Sequence, residues 1–173
     1  IFEDKEACKK LEHEYNFVGV KGNVSEHGMA RFFKRYSLEK FDQENIKEET
    51  KKLSEFLTAW YETHHLKAEE TVFVGYSNGA NMILATLFYY PELIYKAAIL
   101  HGKLPFEPEK LDLSQKEFLV SYGINDQMIP AVESQKAIKK LKEFGAKVTV
   151  VEHEGGHELK RQEVEALHTL CQT

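Results

Sequence analysis

The chain is poor in the residues that mark several classes of protein. It has only two cysteines, Cys8 and Cys171, in 173 residues. That is too few for a disulfide framework, so a reducing compartment is the expected setting. The four prolines and ten glycines fall mostly between periodic segments. No repeat, low-complexity tract or linker divides the chain, so one domain over residues 1–173 is expected. No apolar run approaches the about 20 residues a membrane-spanning helix needs, and no charged-then-apolar leader opens the sequence. Basic residues are not in excess: 23 Lys and Arg face 28 Asp and Glu, a net charge of −5. With no Lys/Arg block to grip a phosphate backbone, nucleic acid is excluded as a partner. The first residue is Ile1 and not Met, so a shortened N-terminus is expected.

Apolar periodicity sets the organisation. Residues 3–15 predict a helix and residues 16–21 (NFVGVK) a short strand. No period survives over 22–44, although Phe32, Phe33, Tyr36 and Phe41 crowd it, and irregular segments of that length are often functional. Ile46, Leu53, Phe56, Leu57, Trp60 and Tyr61 then recur at helical spacing over 45–65. Strands are predicted at 71–75, 96–101, 117–122 and 147–152, with helices at 78–90, 131–144 and 160–171 between and after them. Pro91 stops one helix and Gly145 caps another. Strands alternating with helices of this length imply the α/β class, a mostly parallel sheet covered on both faces.

One turn in this pattern carries chemistry. Gly75-Tyr76-Ser77-Asn78-Gly79 is a G-x-S-x-G sequence between a predicted strand and a predicted helix. A serine on so tight a turn projects above the sheet at a helix N-terminus, where backbone N–H groups stabilise developing negative charge. Small residues two before and two after it relieve the crowding. A serine hydroxyl needs a base, and the base needs a group to orient it. Asp126 follows strand 117–122 and His157 follows strand 147–152. All three therefore leave the C-terminal ends of parallel strands and can meet at one sheet edge. Asp112 precedes its strand and lies at the wrong end. Of the other histidines, His153 is the best substitute base, and His101 ends a strand where it could line a pocket. His153-Glu154-Gly155-Gly156-His157 also spells H-E-x-x-H, the zinc-peptidase pattern. That chemistry needs both imidazoles on one helix face, and two mid-motif glycines cost a helix about 1 kcal/mol each.

These motifs, with Gly22-Asn23-Val24, Glu26, Gly28 and Arg31-Phe32-Phe33 upstream and Ile129-Pro130 and Gly155-Gly156-His157-Glu158-Leu159 downstream, resemble the phospholipase/carboxylesterase family of α/β-hydrolases. The similarity runs from about residue 11 to the C-terminus. It implies a serine hydrolase of small-molecule esters or thioesters with neither cofactor nor metal, cytoplasmic and often a homodimer like the small bacterial members. Ser77 would be the nucleophile, His157 the base, Asp126 its partner and the Asn78 N–H half of an oxyanion hole. Phe32, Phe33, Met128 and Ile129 are the candidates for substrate contact. Lys21 and Tyr122 depart from the family pattern, where Arg and His are commoner. Family members also carry a further strand between those equivalent to 16–21 and 71–75, ending in a His-Gly loop that donates the second oxyanion N–H. This sequence has nothing to fill that slot. The competing expectation is therefore a non-catalytic binding protein of the same fold.

Overall fold

The computed structural model describes residues 15–173. The predicted helix over 3–15 lies almost wholly outside them. Four parallel strands form the sheet in the order β3-β4-β5-β6, with β3 Val72–Tyr76, β4 Lys96–Leu100, β5 Glu117–Gly123 and β6 Lys147–His153. The helices are α1 Gln43–His64, α2 Asn78–Tyr89, α3 Ala131–Glu143 and α4 Arg161–Gln172. The predicted α/β layering is the observed one.

The strand period of two assigns each face its core. Ala97, Ile99, Phe118, Val120 and Tyr122 pack with residues of α1, α2 and α3, including Leu57, Leu84 and Leu141. Ala98, Leu100 and Leu119 turn the other way, onto Val164, Leu167 and Leu170 of α4. Ser121 shares that second face with Leu119, so a polar group on β5 is directed at α4. Helix α2 is buried along its length, from Ala80 to Phe88, which fits a crossover helix seated directly on a sheet.

Two predicted segments differ. Within the irregular stretch 22–44, β1 Val24–Glu26 and β2 Met29–Arg31 pair as an antiparallel hairpin. Its turn residues His27 and Gly28 both have positive φ (50° and 81°), the conformation a two-residue hairpin turn requires. Three-residue strands are too short to show a period. Residues 16–21, by contrast, form no strand. A strand exists only beside a hydrogen-bonded neighbour, and the β3 edge away from β4 has none among the described residues. Phe17 and Val18 are 61% and 53% exposed in consequence.

Candidate active site

The site is built at the C-terminal ends of β3, β5 and β6. Ser77 follows β3 directly, with φ 55° and ψ −114°, a backbone conformation that is costly for a residue with a Cβ. The turn is pinned by the Ser77 N–H donating to Leu100 O at 2.9 Å and by Asn81 N–H donating to Ser77 O. Gly75 is what lets it close. A Cβ there would lie 2.6 Å from the Gly79 carbonyl group and 2.7 Å from Ala80 N. Gly79 is less constrained than expected, since a Cβ on it would meet only Phe32 Cε2 at 3.6 Å. Asn78 opens α2, so its backbone N–H has no intrahelical acceptor.

Loops 124–130 and 154–159 bring in the other two side chains. They are held together by Asn125 N–H donating to Gly155 O at 3.0 Å and Ile124 N–H to His153 O at 2.8 Å. Gly123 makes this approach possible, because a Cβ there would lie 2.2 Å and 2.4 Å from the carbonyl oxygens of Gly156 and Gly155. Backbone oxygens cannot swing aside. Replacing Gly123 by alanine is therefore expected to cost about 2–3 kcal/mol, or about 5–10 °C in Tm. It should also shift the loop carrying His157. Gly19, with open space around it, is the control position, and thermal unfolding of both alanine variants checks the difference.

Ser77, His157 and Asp126 meet in line. Ser77 Oγ is 2.9 Å from His157 Nε2, and His157 Nδ1 is 2.6 Å from Asp126 Oδ2. Asp126 Oδ1 accepts the N–H groups of Met128 and Ile129 at 2.8 and 2.9 Å. Burial pushes the Asp126 carboxyl up, but the Ile129 N–H and the imidazoles of His157 and His101 outweigh it and hold it below its usual value. Tyr76, the first variable residue of the serine motif, donates its hydroxyl to His157 O at 2.5 Å.

The substrate-contact candidates separate. Phe32 sits beside the serine turn, its N–H donating to Asn78 Oδ1 at 2.7 Å. Met128 is half exposed. Ile129 is buried and acts through its N–H on Asp126. Phe33 is corrected: it is 0% exposed and packs edge-on to Phe41, with Ile46 and Met82, so its ring is unavailable to a ligand. A cavity of about 260 Å³ opens between residues 39–43 and 103–105, lined by Lys40, Phe41, Lys103 and Leu104 among others. Neither Ser77 nor His157 lines it.

The sequence reading missed the environment of Asp126. His101, just past β4, is fully buried, with Nδ1 3.0 Å from Asp126 Oδ2 and Nε2 3.0 Å from Glu163 Oε1. His153 is not an alternative base, since its Nε2 lies 3.4 Å from Glu163 Oε2, away from Ser77. The H-E-x-x-H reading fails on geometry as well. His153 ends β6, the residues after it are non-helical, and the two Nε2 atoms face different partners, Glu163 and Ser77. His101, His153 and Glu163 do have metal-like spacing, as do His101, Asp126 and His157. In the first group, however, His153 Nδ1 accepts the Gly155 N–H at 3.0 Å. Its proton is then on Nε2, the atom a metal would need. In the second, His157 Nε2 is engaged by Ser77 and its Nδ1 by Asp126.

Burial alone lowers the His101 imidazole, yet its hydrogen bonds to Glu163 and Asp126 bring it net above its ordinary value of 6.5. A raised folded value stabilises the fold fully below 6.5 and loses that contribution as pH rises through it. Glu163 and Asp126 behave oppositely, with full contributions above their ordinary values of 4.5 and 3.8. The Tm penalty of replacing His101 by glutamine should therefore be largest between pH 4.5 and 6.5 and shrink toward alkaline pH. Thermal melts across pH check it.

Residues 22–173 match the sequence model of the phospholipase/carboxylesterase family. Over 156 residues the chain is 33% identical to MhqD of Bacillus subtilis (strain 168), which carries a hydrolase name. That match spans 90% of this chain and 78% of MhqD. The crystal structure of the Bacillus cereus carboxylesterase superposes with a TM-score of 0.83 at 33% identity, over 88% of this chain and 72% of that one. The carboxylesterase SOBER1 of Arabidopsis thaliana is 29% identical over 107 residues, 58% of this chain and 47% of SOBER1. Among the described residues, no helix is long and apolar enough to cross a membrane.

Proposed function

The chain belongs to the phospholipase/carboxylesterase family and is a hydrolase acting on esters; from that premise we propose that it works through an acyl-enzyme on Ser77. The observation that carries this reading is the unbroken line Ser77 Oγ, His157 Nε2, His157 Nδ1, Asp126 Oδ2, at 2.9 and 2.6 Å. His157 takes the Ser77 proton as the oxygen attacks the ester carbonyl, forming the C–O bond of a tetrahedral intermediate. The Asn78 N–H at the start of α2 faces the developing oxyanion. His157 then returns the proton to the leaving alcohol, and water repeats the cycle in reverse to free the acid. Asp126 keeps the His157 proton on Nδ1 and stabilises the imidazolium.

Small or flexible acyl groups are the first expected substrates. Residues 102–116 between β4 and β5 are too few to hold a lid domain, and Phe32 offers modest apolar surface beside the serine turn. Thioesters follow the same tetrahedral chemistry. The test is turnover of p-nitrophenyl acetate and butyrate. Hydrolysis that survives a chelator and declines in acid, as an imidazole base takes up its proton, is expected. No turnover, or turnover abolished by the chelator, would reject the reading.

A further inference from the structure

The hydrogen bonds of the site continue past Asp126 into the protein. Asp126 Oδ2 accepts two imidazoles, His157 from the solvent side and His101 from within. The far nitrogen of His101 reaches Glu163 Oε1. Glu163 lies in the first turn of α4 with 0% exposure. It also accepts the Ser121 hydroxyl at 2.5 Å and the Lys160 N–H at 2.6 Å. We propose that His101, held as an imidazolium between Asp126 and Glu163, is a positioning residue that fixes the Asp126 carboxylate and limits the basicity of His157. The proposal rests on the hydrolase reading of Ser77, Asp126 and His157.

The donors and acceptors around His101 fix its charge. Ionised carboxylates only accept, so a ring bonded to one carboxylate through each nitrogen must donate from both. Only the cation does that. A carboxyl proton would be the alternative, but Asp126 also accepts two backbone N–H groups and Glu163 a backbone N–H and a hydroxyl, all of which favour the ionised forms. His153 Nε2 lies 3.4 Å from both His101 Nε2 and Glu163 Oε2, so the Glu163 carboxylate draws both rings toward it. His101 also has φ 51°, so it shares with Ser77, on the adjacent strand end, a backbone conformation that costs free energy. Such strain persists where the surroundings over-determine it. The net directions agree, with His101 raised and both carboxyls lowered.

Several other groups face His101. They are Tyr76 from β3, Ser121 from β5, which shares Glu163 Oε1 with it, His153 from the end of β6 and His157 from the loop beyond it. Of these only His157 carries a proton in the mechanism, and its ring centroid is 5.3 Å from that of His101. A fixed positive charge at that range opposes protonation of His157, and Glu163 offsets it from further away. Remove the cation and Asp126 and Glu163 act on His157 as two uncompensated carboxylates.

The experiment follows the acid limb of kcat/KM for p-nitrophenyl butyrate, with the His157 titration read in parallel by NMR. His101→Gln should move both up by about one pH unit. The double variant His101→Gln with Glu163→Gln should bring them more than half of the way back, because the second substitution removes the excess negative charge. A rate lowered equally at every pH, with limb and titration unmoved, would reduce His101 to packing and overturn the proposal. Should His101→Gln fail to fold, the imidazole nitrogens of the native protein decide: protons on both His101 nitrogens at about pH 7.5 support the proposal, and one proton contradicts it. Absence of native ester turnover would defeat the hydrolase reading instead, and the two NMR readouts would still decide the charge state and its effect on His157.

Discussion

Replacing Ser77 by alanine lowers p-nitrophenyl butyrate turnover by about four to six orders of magnitude while leaving the fold intact. The effect is large because, among the described residues, the hydroxyl bonded to the His157 base is that of Ser77. No second base stands in for His157 there, since His153, the other histidine of that region, is turned toward Glu163. The fold should tolerate the change. Ser77 anchors the turn through its backbone N–H and carbonyl, which alanine keeps, and its side chain makes no cap hydrogen bond to α2. Alanine also occupies the strained φ of 55° no worse than serine. Circular dichroism and Tm should match the native protein. A variant retaining more than about a thousandth of native turnover would mean that the chemistry runs elsewhere.

Asp126→Asn is expected to be nearly as damaging, at about ten-thousandfold in kcat. Asp126 Oδ1 receives two backbone N–H groups and Oδ2 receives two imidazoles, so all four neighbours donate. An amide supplies one acceptor atom and one donor. If its oxygen keeps Met128 and Ile129, its NH2 group meets His157 Nδ1. That forces the His157 proton onto Nε2, where it faces Ser77 and cannot accept. The same NH2 meets His101, so the inner imidazole loses a carboxylate as well. Stability should therefore fall along with kcat, while KM changes little. Steady-state kinetics with thermal melts separate the two effects, and a variant within tenfold of native kcat would contradict the assigned tautomer.

Much of this site is legible in sequence because its three central residues sit where the strand pattern places them. Ser77, Asp126 and His157 each follow a β-rich run by a few residues, and parallel strands carry such positions to one edge. The inner pair is hidden for a physical reason. His101 and Glu163 are 62 residues apart, and their hydrogen bond depends on the register of β4 and α4 against β5. One signal was available. Glu163 stands at helical spacing with Leu167 and Leu170, the buried stripe of α4. A carboxylate on an apolar stripe needs a buried partner. Phe33 misled for the opposite reason: adjacent aromatics in an aperiodic stretch do not show which ring points inward. The strand predicted over 16–21 depended on a neighbour that the described residues do not supply, whereas the hairpin over 24–31 was signalled only by His27-Gly28.

The identity of the nucleophile decides the mechanism. Treating the protein with a fluorophosphonate and mapping the adduct by mass spectrometry of its peptides tests that directly. One phosphonyl group on the peptide containing Ser77, absent when the protein is first unfolded or when Asp126 is asparagine, is the predicted result. An adduct on another residue, or none on a folded protein that hydrolyses esters, would contradict it.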